Sequence, residues 1–273
     1  MTQSGEIAVS GPSLFAAAPC RVVLHPADGQ GIFFEDTKGT RAPALIDHVV
    51  AATGPLGGRN TVLAREDFSI ATVEHLLSAL AGLGIWNARC VVDAGELPIL
   101  DGSALAFAQA ASRLARSVPA PITLSRALRV EDASGAWIEA SPADAIEYRY
   151  ELRYPAGSGL PDQDFVWRGD AAAYLEAIAP ARTFSLEREA IAMKQAGLFP
   201  HLTAKDMLVI APDGGAIENR LRFPDEPVRH KLLDLIGDLA LLGRPLRARV
   251  VAHKSSHALT HQLCRAIASM PPV

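Results

Sequence analysis

Short apolar runs alternate with stretches of helical periodicity along the chain. The runs 20–26 (CRVVLHP) and 31–36 (GIFFED) flank the turn-forming segment ADGQ and predict two strands. The stretch 69–84 (SIATVEHLLSALAGLG) predicts a helix, with Thr72 as its N-cap and glycines at its end. A valine-rich strand is predicted at 87–95, and a turn and an alanine-rich helix follow it.

The second half of the chain repeats this succession of predicted strands and helices. An antiparallel hairpin and a third strand are predicted first. The stretch 223–243 (FPDEPVRHKLLDLIGDLALLG) then predicts a long helix, with Pro227 in its first turn and Gly243 at its stop. A strand at 246–253 and a final helix at 257–270 complete the order.

Two prolines mark the best boundary between the halves. They lie in the segment 118–125 (VPAPITLS), and the chain is therefore predicted to divide into domains at 1–120 and 121–273. Each half shows strands, a helix, a strand and another helix. This order indicates an internal structural duplication, although the halves share no evident sequence identity.

Composition and charge exclude several classes of protein. The 273 residues are 49% hydrophobic with a formal net charge of -4, so the chain is globular and no nucleic-acid partner is expected. The first ten residues lack the pattern of a signal peptide, and no apolar run is long enough to cross a bilayer. Cys20, Cys90 and Cys264 are scattered, as is typical of reduced thiols. A cytoplasmic protein without an integral membrane segment is expected.

One face of the predicted helix at 223–243 carries His230, Asp234 and Asp238 at intervals of four residues. Residues at this spacing lie one turn apart on the same face, so His230 and Asp234 can bind one cation together. Most of the other positions are apolar, and a buried charged pair requires partners or a metal. On spacing alone, a solvated His–Asp pair on the surface remains the alternative.

The helix predicted at 69–84 offers the pair Glu74 and His75 in its first turn. Taken alone, the pair is equally explained by an acid favoured by the helix dipole beside a surface histidine. In combination with His230 and Asp234, however, His75 completes the three protein ligands that a catalytic zinc needs beside an open position for water. Glu74 is then the carboxylate that takes the proton of that water.

His257, at the start of the last predicted helix, fits a role outside the metal shell. Amide cleavage needs a proton for the leaving amine and a positive neighbour for the oxyanion. Asp238 can orient this imidazole and raise its pKa. A capping or surface histidine is the alternative.

Separated segments of the chain carry a resemblance to a known enzyme family. They are TVEHLLSALAGLGIWNA (72–88), ELPILDGSA (96–104), ARTF (181–184), LRFPDEPVRHKLLDLIGDLALLG (221–243) and HKSSHAL (253–259). These segments, and their order along the chain, resemble the UDP-3-O-acyl-N-acetylglucosamine deacetylases, the zinc enzymes of lipid A synthesis. A match at several separated segments is far more specific than a match at one motif. The resemblance implies an α+β fold of two similar domains, each an antiparallel sheet packed with helices, with the active site between them.

The resemblance also implies a role for each matching residue. The implied metal is Zn²⁺, although Fe²⁺ suits the same ligand set, and the ligands are His75, His230 and Asp234. The implied catalytic groups are Glu74 as general base, the pair Asp238 and His257, and Thr183 at the oxyanion. The implied substrate contacts are Lys231, Phe184 and Lys254. The implied partner is an acylated UDP-amino-sugar, and the protein is expected to be a monomer.

Departures from the family pattern spare every proposed catalytic group. They fall in 13–18 (SLFAAA in place of a GLHTG-like segment), in 58–63 (GRNTVL) and in 197–203 (GLFPHLT in place of a glycine-rich segment beside the acyl passage). The hypothesis is deacetylation of UDP-3-O-acyl-N-acetylglucosamine with release of acetate. The departures leave two alternatives: a zinc amidohydrolase of the same fold for another N-acylated sugar or amide, and a non-catalytic sugar- or lipid-binding protein.

Overall fold

The computed structural model describes residues 6–15, 17–51 and 58–271. Residue 16, within the segment 13–18, lies outside these ranges. Residues 1 and 273, at which the two predicted domains begin and end, also lie outside them. Within the described residues, no helix combines the length and the apolar character needed to cross a membrane.

The described residues form β-strands and α-helices. The strands are β1 (Ala8–Pro12), β2 (Pro19–Pro26), β3 (Ile32–Asp36), β4 (Arg41–Pro43), β5 (Val49–Val50), β6 (Val62–Arg65), β7 (Phe68–Ala71), β8 (Ala88–Val92), β9 (Ile122–Thr123), β10 (Leu128–Glu131), β11 (Trp137–Pro142), β12 (Glu147–Leu152), β13 (Gln163–Trp167), β14 (Phe184–Leu186), β15 (Leu208–Ile210) and β16 (Leu246–His253). The α-helices are α1 (Glu74–Gly82), α2 (Leu105–Ala111), α3 (Ala171–Ala177), α4 (Glu187–Gln195), α5 (Glu226–Leu239) and α6 (His257–Ala268).

The two larger sheets share one pattern of strand order and pairing. The first has the order β1-β2-β8-β3-β4, in which β3 and β8 are parallel and all other neighbours antiparallel. The second has the order β10-β11-β16-β12-β13, in which β12 and β16 form the parallel pair. Helices α1 and α2 flank β8 in sequence, as α5 and α6 flank β16. These matching halves confirm the predicted α+β fold of two similar domains, and each mainly antiparallel sheet contains one parallel pair.

The central strand of the second sheet shows how the sequence pattern becomes packing. β16 spans the whole segment predicted as a strand, and it buries every second side chain. Helices α5 and α6 both pack against this sheet. An alternating strand that buries one face under helices is the arrangement that its period of two predicts. The buried side chains of β16 are Leu246, Ala248, Val250 and Ala252.

The start of the first long helix differs from the prediction. α1 begins at Glu74, and Thr72 is not its N-cap: the cap position is Val73, without a side-chain hydrogen bond. Thr72 has a φ of 61°, and its backbone N–H donates to the carbonyl of Thr61. Residues 69–71 belong to the β6–β7 hairpin. Pairing within this hairpin therefore overrides a helical pattern that the local sequence suggests.

The longest helix follows its sequence signals closely. α5 begins at Glu226, has Pro227 in its first turn and passes through a 3-10 turn at Ala240–Leu242. Gly243 then adopts a left-handed conformation with a φ of 72° and ends the helix. This is the position at which glycine is favoured, since a side chain would be strained there.

Gly237 brings α5 unusually close to α1. A methyl group at Gly237 would overlap the backbone carbonyl oxygen of Glu74, so only glycine allows the helices to pack at this distance. Because Asp234 and Asp238 lie on either side of Gly237 along α5, the same approach places their carboxylates beside Glu74 and His75. Helix packing across the two halves thus assembles the polar cluster.

Candidate active site and metal centre

Three side chains from α1 and α5 form a buried set of potential metal ligands. His75, His230 and Asp234 each offer one ligand atom, and these atoms lie within 4.8 Å of one another. Asp234 Oδ1 is 3.7 Å from His75 Nε2 and 3.4 Å from His230 Nε2. The two imidazole rings meet edge to face, with centroids 5.1 Å apart. Two histidines and a carboxylate that converge in this way form a donor set that can hold a divalent cation.

The protonation of the two histidines suits metal binding. Burial, together with the neighbouring His230, lowers the pKa of His75 to about 3, and burial also lowers the pKa of His230. Both rings are therefore neutral near pH 7, as coordination requires. His230 Nδ1 lies 3.1 Å from the carbonyl oxygen of Ala181, to which it donates, so Nε2 is left as the acceptor that faces Asp234. The ring orientation is thus fixed by the protein itself.

Asp234 and Lys231 form an ion pair at the edge of this set. Lys231 Nζ donates to Asp234 Oδ2 at 2.9 Å, while Asp234 Oδ1 faces the histidines. Burial alone raises the pKa of Asp234, but the electrostatic influence of His230 and the positive charge of Lys231 outweigh burial and hold this pKa below its usual range. Burial disfavours the charged form of Lys231, but Asp234 outweighs it and raises the lysine pKa. Both groups remain charged at neutral pH.

Glu74 is a buried carboxylate next to the ligand set. Its Oε2 accepts a hydrogen bond from the backbone N–H of Thr61 at 3.0 Å. Burial raises the pKa of Glu74 to about 7; His257 opposes the rise and Asp234 adds to it. A carboxylate with a pKa close to neutrality is suited to accept and return a proton.

His257 and Asp238 form a second buried pair. His257 Nδ1 lies 2.7 Å from Asp238 Oδ2, and its Nε2 lies 4.0 Å from Asp234 Oδ2. Burial disfavours the charged imidazole, but Asp238 outweighs this and raises the pKa of His257 to about 9. The imidazole is therefore protonated at neutral pH, and its Nε2 points toward the ligand set.

Thr183 and Phe184 lie on a segment that is anchored from both sides. The buried carboxylate of Glu226 accepts hydrogen bonds from the backbone N–H and the guanidinium of Arg182, at 3.0 and 2.8 Å. The backbone N–H of Thr183 donates to the carbonyl of Gly102 at 2.7 Å. Both Thr183 and Phe184 line the groove described next. The sequence predicted these residues near the site, but not the ion pair that holds them.

An apolar groove of about 320 Å³ borders this segment. Phe15 and Phe199 both line it, with ring centroids 5.6 Å apart. The carboxylate of Glu96 holds the Phe15 side of the groove, since it accepts from the backbone N–H groups of Leu14 and Phe15. The two segments with altered sequence, 13–18 and 197–203, thus meet across one groove. Further apolar lining residues are Ile191, Met193, Leu198 and Leu202.

Lys254 is placed differently from the other predicted site residues. It follows β16, its side chain is exposed, and its backbone has a φ of 53° with the N–H bound to the carbonyl of Glu151. The structure does not bring Lys254 into the buried cluster. A role in binding substrate from the surface remains a prediction.

Two residues of the cluster escaped the sequence analysis. Thr61 binds Glu74 through its backbone N–H and Asp238 through its hydroxyl, at 3.0 and 2.6 Å. His261 lies beside the same carboxylate, with its Nε2 3.3 Å from Asp238 Oδ1. The interval of four between His257 and His261 is the only local signal for the second histidine. Thr61 carries no such signal.

A buried set of two histidines and a carboxylate, beside a carboxylate of raised pKa and a His–Asp pair, is typical of metal-dependent hydrolases. Comparison with known sequences narrows this class. Residues 1–269 match the family described as LpxC: UDP-3-O-acyl N-acetylglycosamine deacetylase. The chain belongs to this family, which is a family of metalloenzymes.

Several similar proteins carry the name UDP-3-O-acyl-N-acetylglucosamine deacetylase. The one from Chlamydia abortus is 35% identical over 268 residues, which cover 96% of this chain and 94% of that protein. The one from Synechocystis is 35% identical and covers 98% of both chains. The one from Myxococcus xanthus is 36% identical over 99% of this chain and 86% of that protein.

Proposed function

We propose that the protein hydrolyses the N-acetyl group of a UDP-3-O-acyl-N-acetylglucosamine and releases acetate, a step of lipid A synthesis. The observation that carries this proposal is the convergence of Glu74, His257 and Asp238 on the buried ligand set. The full-length relatedness to proteins named as this deacetylase supports it. A binding protein would have no use for an acid and a base whose pKa values are both shifted by burial and paired charges.

The proposed metal is zinc, held by His75, His230 and Asp234. Two neutral imidazoles and one carboxylate fit it, and Fe²⁺ fits the same ligands. When bound, such a cation polarises the amide carbonyl and lowers the pKa of water. Measuring the metal content and the activity of protein reconstituted with each ion tests this choice.

The side chains around the metal divide the proton transfers between them. Glu74 accepts the proton of the attacking water, because its pKa of about 7 makes it a base at neutral pH. His257, kept protonated by Asp238, gives a proton to the leaving amine and offers positive charge to the oxyanion. The hydroxyl of Thr183 adds a hydrogen bond to the oxyanion. Acetate and a free amino sugar result.

The substrate contacts are the remaining part of the proposal. Lys231 and Lys254 supply positive charge for the anionic nucleotide, and Phe184 packs beside the sugar. The apolar groove offers a place for the 3-O-acyl chain, since it begins at Thr183 and Phe184 and continues along apolar side chains. Burial of each methylene there is worth about 0.8 kcal/mol.

One observation favours another substrate in the same fold. Phe15 and Phe199 contact each other across the groove, where small residues would leave it open. This contact favours a different N-acylated sugar or amide, or a shorter acyl chain, as the second candidate.

The domain division at 1–120 and 121–273, the monomeric state and the cytoplasmic location belong to the same proposal. The strands of the first large sheet lie before residue 93, and those of the second, including β9 paired with β16, lie after residue 121, which supports a boundary between them. Sedimentation at a mass near 29.0 kDa would support the monomer.

The decisive experiment measures acetate release by zinc-loaded protein from UDP-3-O-acyl-N-acetylglucosamine, beside the sugar nucleotide without its acyl chain. Release that requires the acyl chain supports the lipid A reaction. Release from both substrates at the same rate supports the second candidate. Absence of release from either, with one zinc bound per chain, would contradict deacetylation of this substrate.

A further inference from the structure

A second histidine lies next to Asp238, beside the His257–Asp238 pair. His261 follows His257 by one turn of α6, and its side chain is 9% exposed. The two imidazole rings are tilted by 34°, with centroids 6.2 Å apart. His261 has no part in the proton transfers proposed above, so its place in the buried cluster calls for a separate explanation.

The hydrogen bonds of Asp238 account for both of its oxygens. Oδ2 accepts from His257 Nδ1 at 2.7 Å. Oδ1 accepts from the hydroxyl of Thr61 at 2.6 Å and lies 3.3 Å from His261 Nε2. His261 Nε2 is also 3.1 Å from the Thr61 hydroxyl oxygen. Since the single hydroxyl proton is given to Asp238, the consistent arrangement has a proton on His261 Nε2, shared between Thr61 and Asp238.

A carboxylate held at one oxygen only can turn about its terminal torsion, which has broad minima. Such rotation would swing Oδ2 away from His257 and leave that imidazole free to reorient. Two donors on Oδ1, from two different elements, prevent the rotation. Thr61 approaches just ahead of β6, and His261 approaches from α6.

We propose that His261 is a positioning residue, which, with Thr61, clamps Oδ1 of Asp238 so that Oδ2 holds His257 with Nε2 aimed at the reacting centre. His261 acts through Asp238 and touches no substrate. The inference rests on the proposed function only for its kinetic readout, because the clamp itself is a property of the folded protein.

The test compares His261→Leu with His261→Gln in zinc-loaded protein. Leucine removes the donor, whereas the glutamine amide nitrogen reaches the position of Nε2 and can donate to both oxygens. We expect His261→Leu to lower kcat about 10- to 100-fold, the range for partners that orient a catalytic shell. KM should stay within about two-fold, since the groove and the metal are untouched. His261→Gln should recover most of kcat.

Cys264→Ala is the matched control. Cys264 is also buried on α6, and its Sγ contacts the backbone carbonyl of Asp238 at 3.6 Å, but not the carboxylate. If this face of α6 had only a structural role, Cys264→Ala and His261→Leu would lower kcat to a similar extent. If His261→Leu does not fold, Thr61→Val carries the same test, because it removes the other donor and keeps the backbone N–H that binds Glu74.

Proton NMR of protein with nitrogen-15-labelled imidazoles separates this proposal from the proposed function. The His257 Nδ1–H proton should give a downfield signal in the parent, in His261→Gln and in Cys264→Ala, and should weaken or move in His261→Leu. If the parent lacks deacetylase activity but the four proteins show these His257 signals, the proposed function would be wrong and the positioning role of His261 would still be supported. A folded His261→Leu variant with the kcat and the His257 signal of the parent would overturn the clamp.

Discussion

The interface between α1 and α5 and the groove wall formed by α4 are built in different ways. Nearly every residue of α1 is buried, and the two helices approach closely enough to require Gly237. In α4, by contrast, no residue is buried, and Ile191 is 50% exposed. The proposed chemistry is therefore held by a buried and closely packed helix interface, while the proposed acyl contacts lie on a helix without buried residues. Changes in the interface should affect stability, metal binding and turnover together, whereas changes in α4 should affect only substrate preference.

The largest expected effect is that of Glu74→Gln. Glutamine can still accept the hydrogen bond from Thr61 but cannot take a proton, so kcat should fall about 10²- to 10⁴-fold with zinc retained. Initial rates and metal content measure this. Glu187→Gln, which alters a carboxylate of the groove wall, is the control and should keep kcat. Normal turnover by the Glu74 variant would exclude the proposed base.

The same variant has a predictable stability. The pKa of Glu74 is raised in the folded protein, so its contribution to stability is greatest at low pH and is lost as the pH rises through about 7. Above that pH the ionised carboxylate is disfavoured by burial. Metal-free Glu74→Gln should therefore be at least as stable as the metal-free parent at pH 8, as urea unfolding would show. A less stable variant at that pH would contradict the burial argument.

Metal removal is expected to come next in size. A ligand that binds only the folded state stabilises it by about 2.7 kcal/mol at a concentration of 100 times its Kd. Chelation should therefore lower Tm, and added zinc should restore it. His230→Ala should show neither response, because it lacks one of the three ligands. A parent Tm that changes neither with chelator nor with added zinc would argue against the metal centre.

Gly237→Ala tests the helix interface directly. Helix propensity alone favours alanine by about 1 kcal/mol, but the added methyl group would overlap the Glu74 carbonyl. We expect the cost of this overlap to exceed the gain in helix propensity and to destabilise the protein by about 1–3 kcal/mol. Gly95→Ala is the control, since a methyl group there meets only the Ser69 carbonyl at an ordinary 3.7 Å. A stabilised Gly237→Ala variant would show that the helices are not held as closely as described.

The smallest expected effect belongs to the groove wall. Ile191→Ser should change the free energy of unfolding by no more than about 0.5 kcal/mol, as is usual for exposed positions. KM for an acylated substrate should nevertheless rise several-fold, while kcat is kept. Leu175→Ser, on α3 and 36% exposed, is the control without groove contact. Equal KM values for the two variants would argue that the acyl chain does not use this groove.

Elements with strong periodicity and residues with local signals could be predicted without the structure. β16 and α5 could be predicted because alternation and turn residues act over a few positions. His230, Asp234 and Asp238 could be grouped because helical spacing places them on one face. The needs of a catalytic zinc and then the family resemblance linked Glu74, His75 and His257 to this face, since no local rule joins residues so far apart in the chain.

Other features depend on contacts between elements and could be read only from the folded chain. Thr72 left the helix because the preceding residues pair with β6. Thr61 and His261 joined the cluster because the fold brings the residue ahead of β6 and helix α6 to one carboxylate. Their partners lie 177 and 23 residues away in sequence. Hydrogen bonds over such separations have no periodic signature, so they follow from the packing of the two halves and not from the chain read in order.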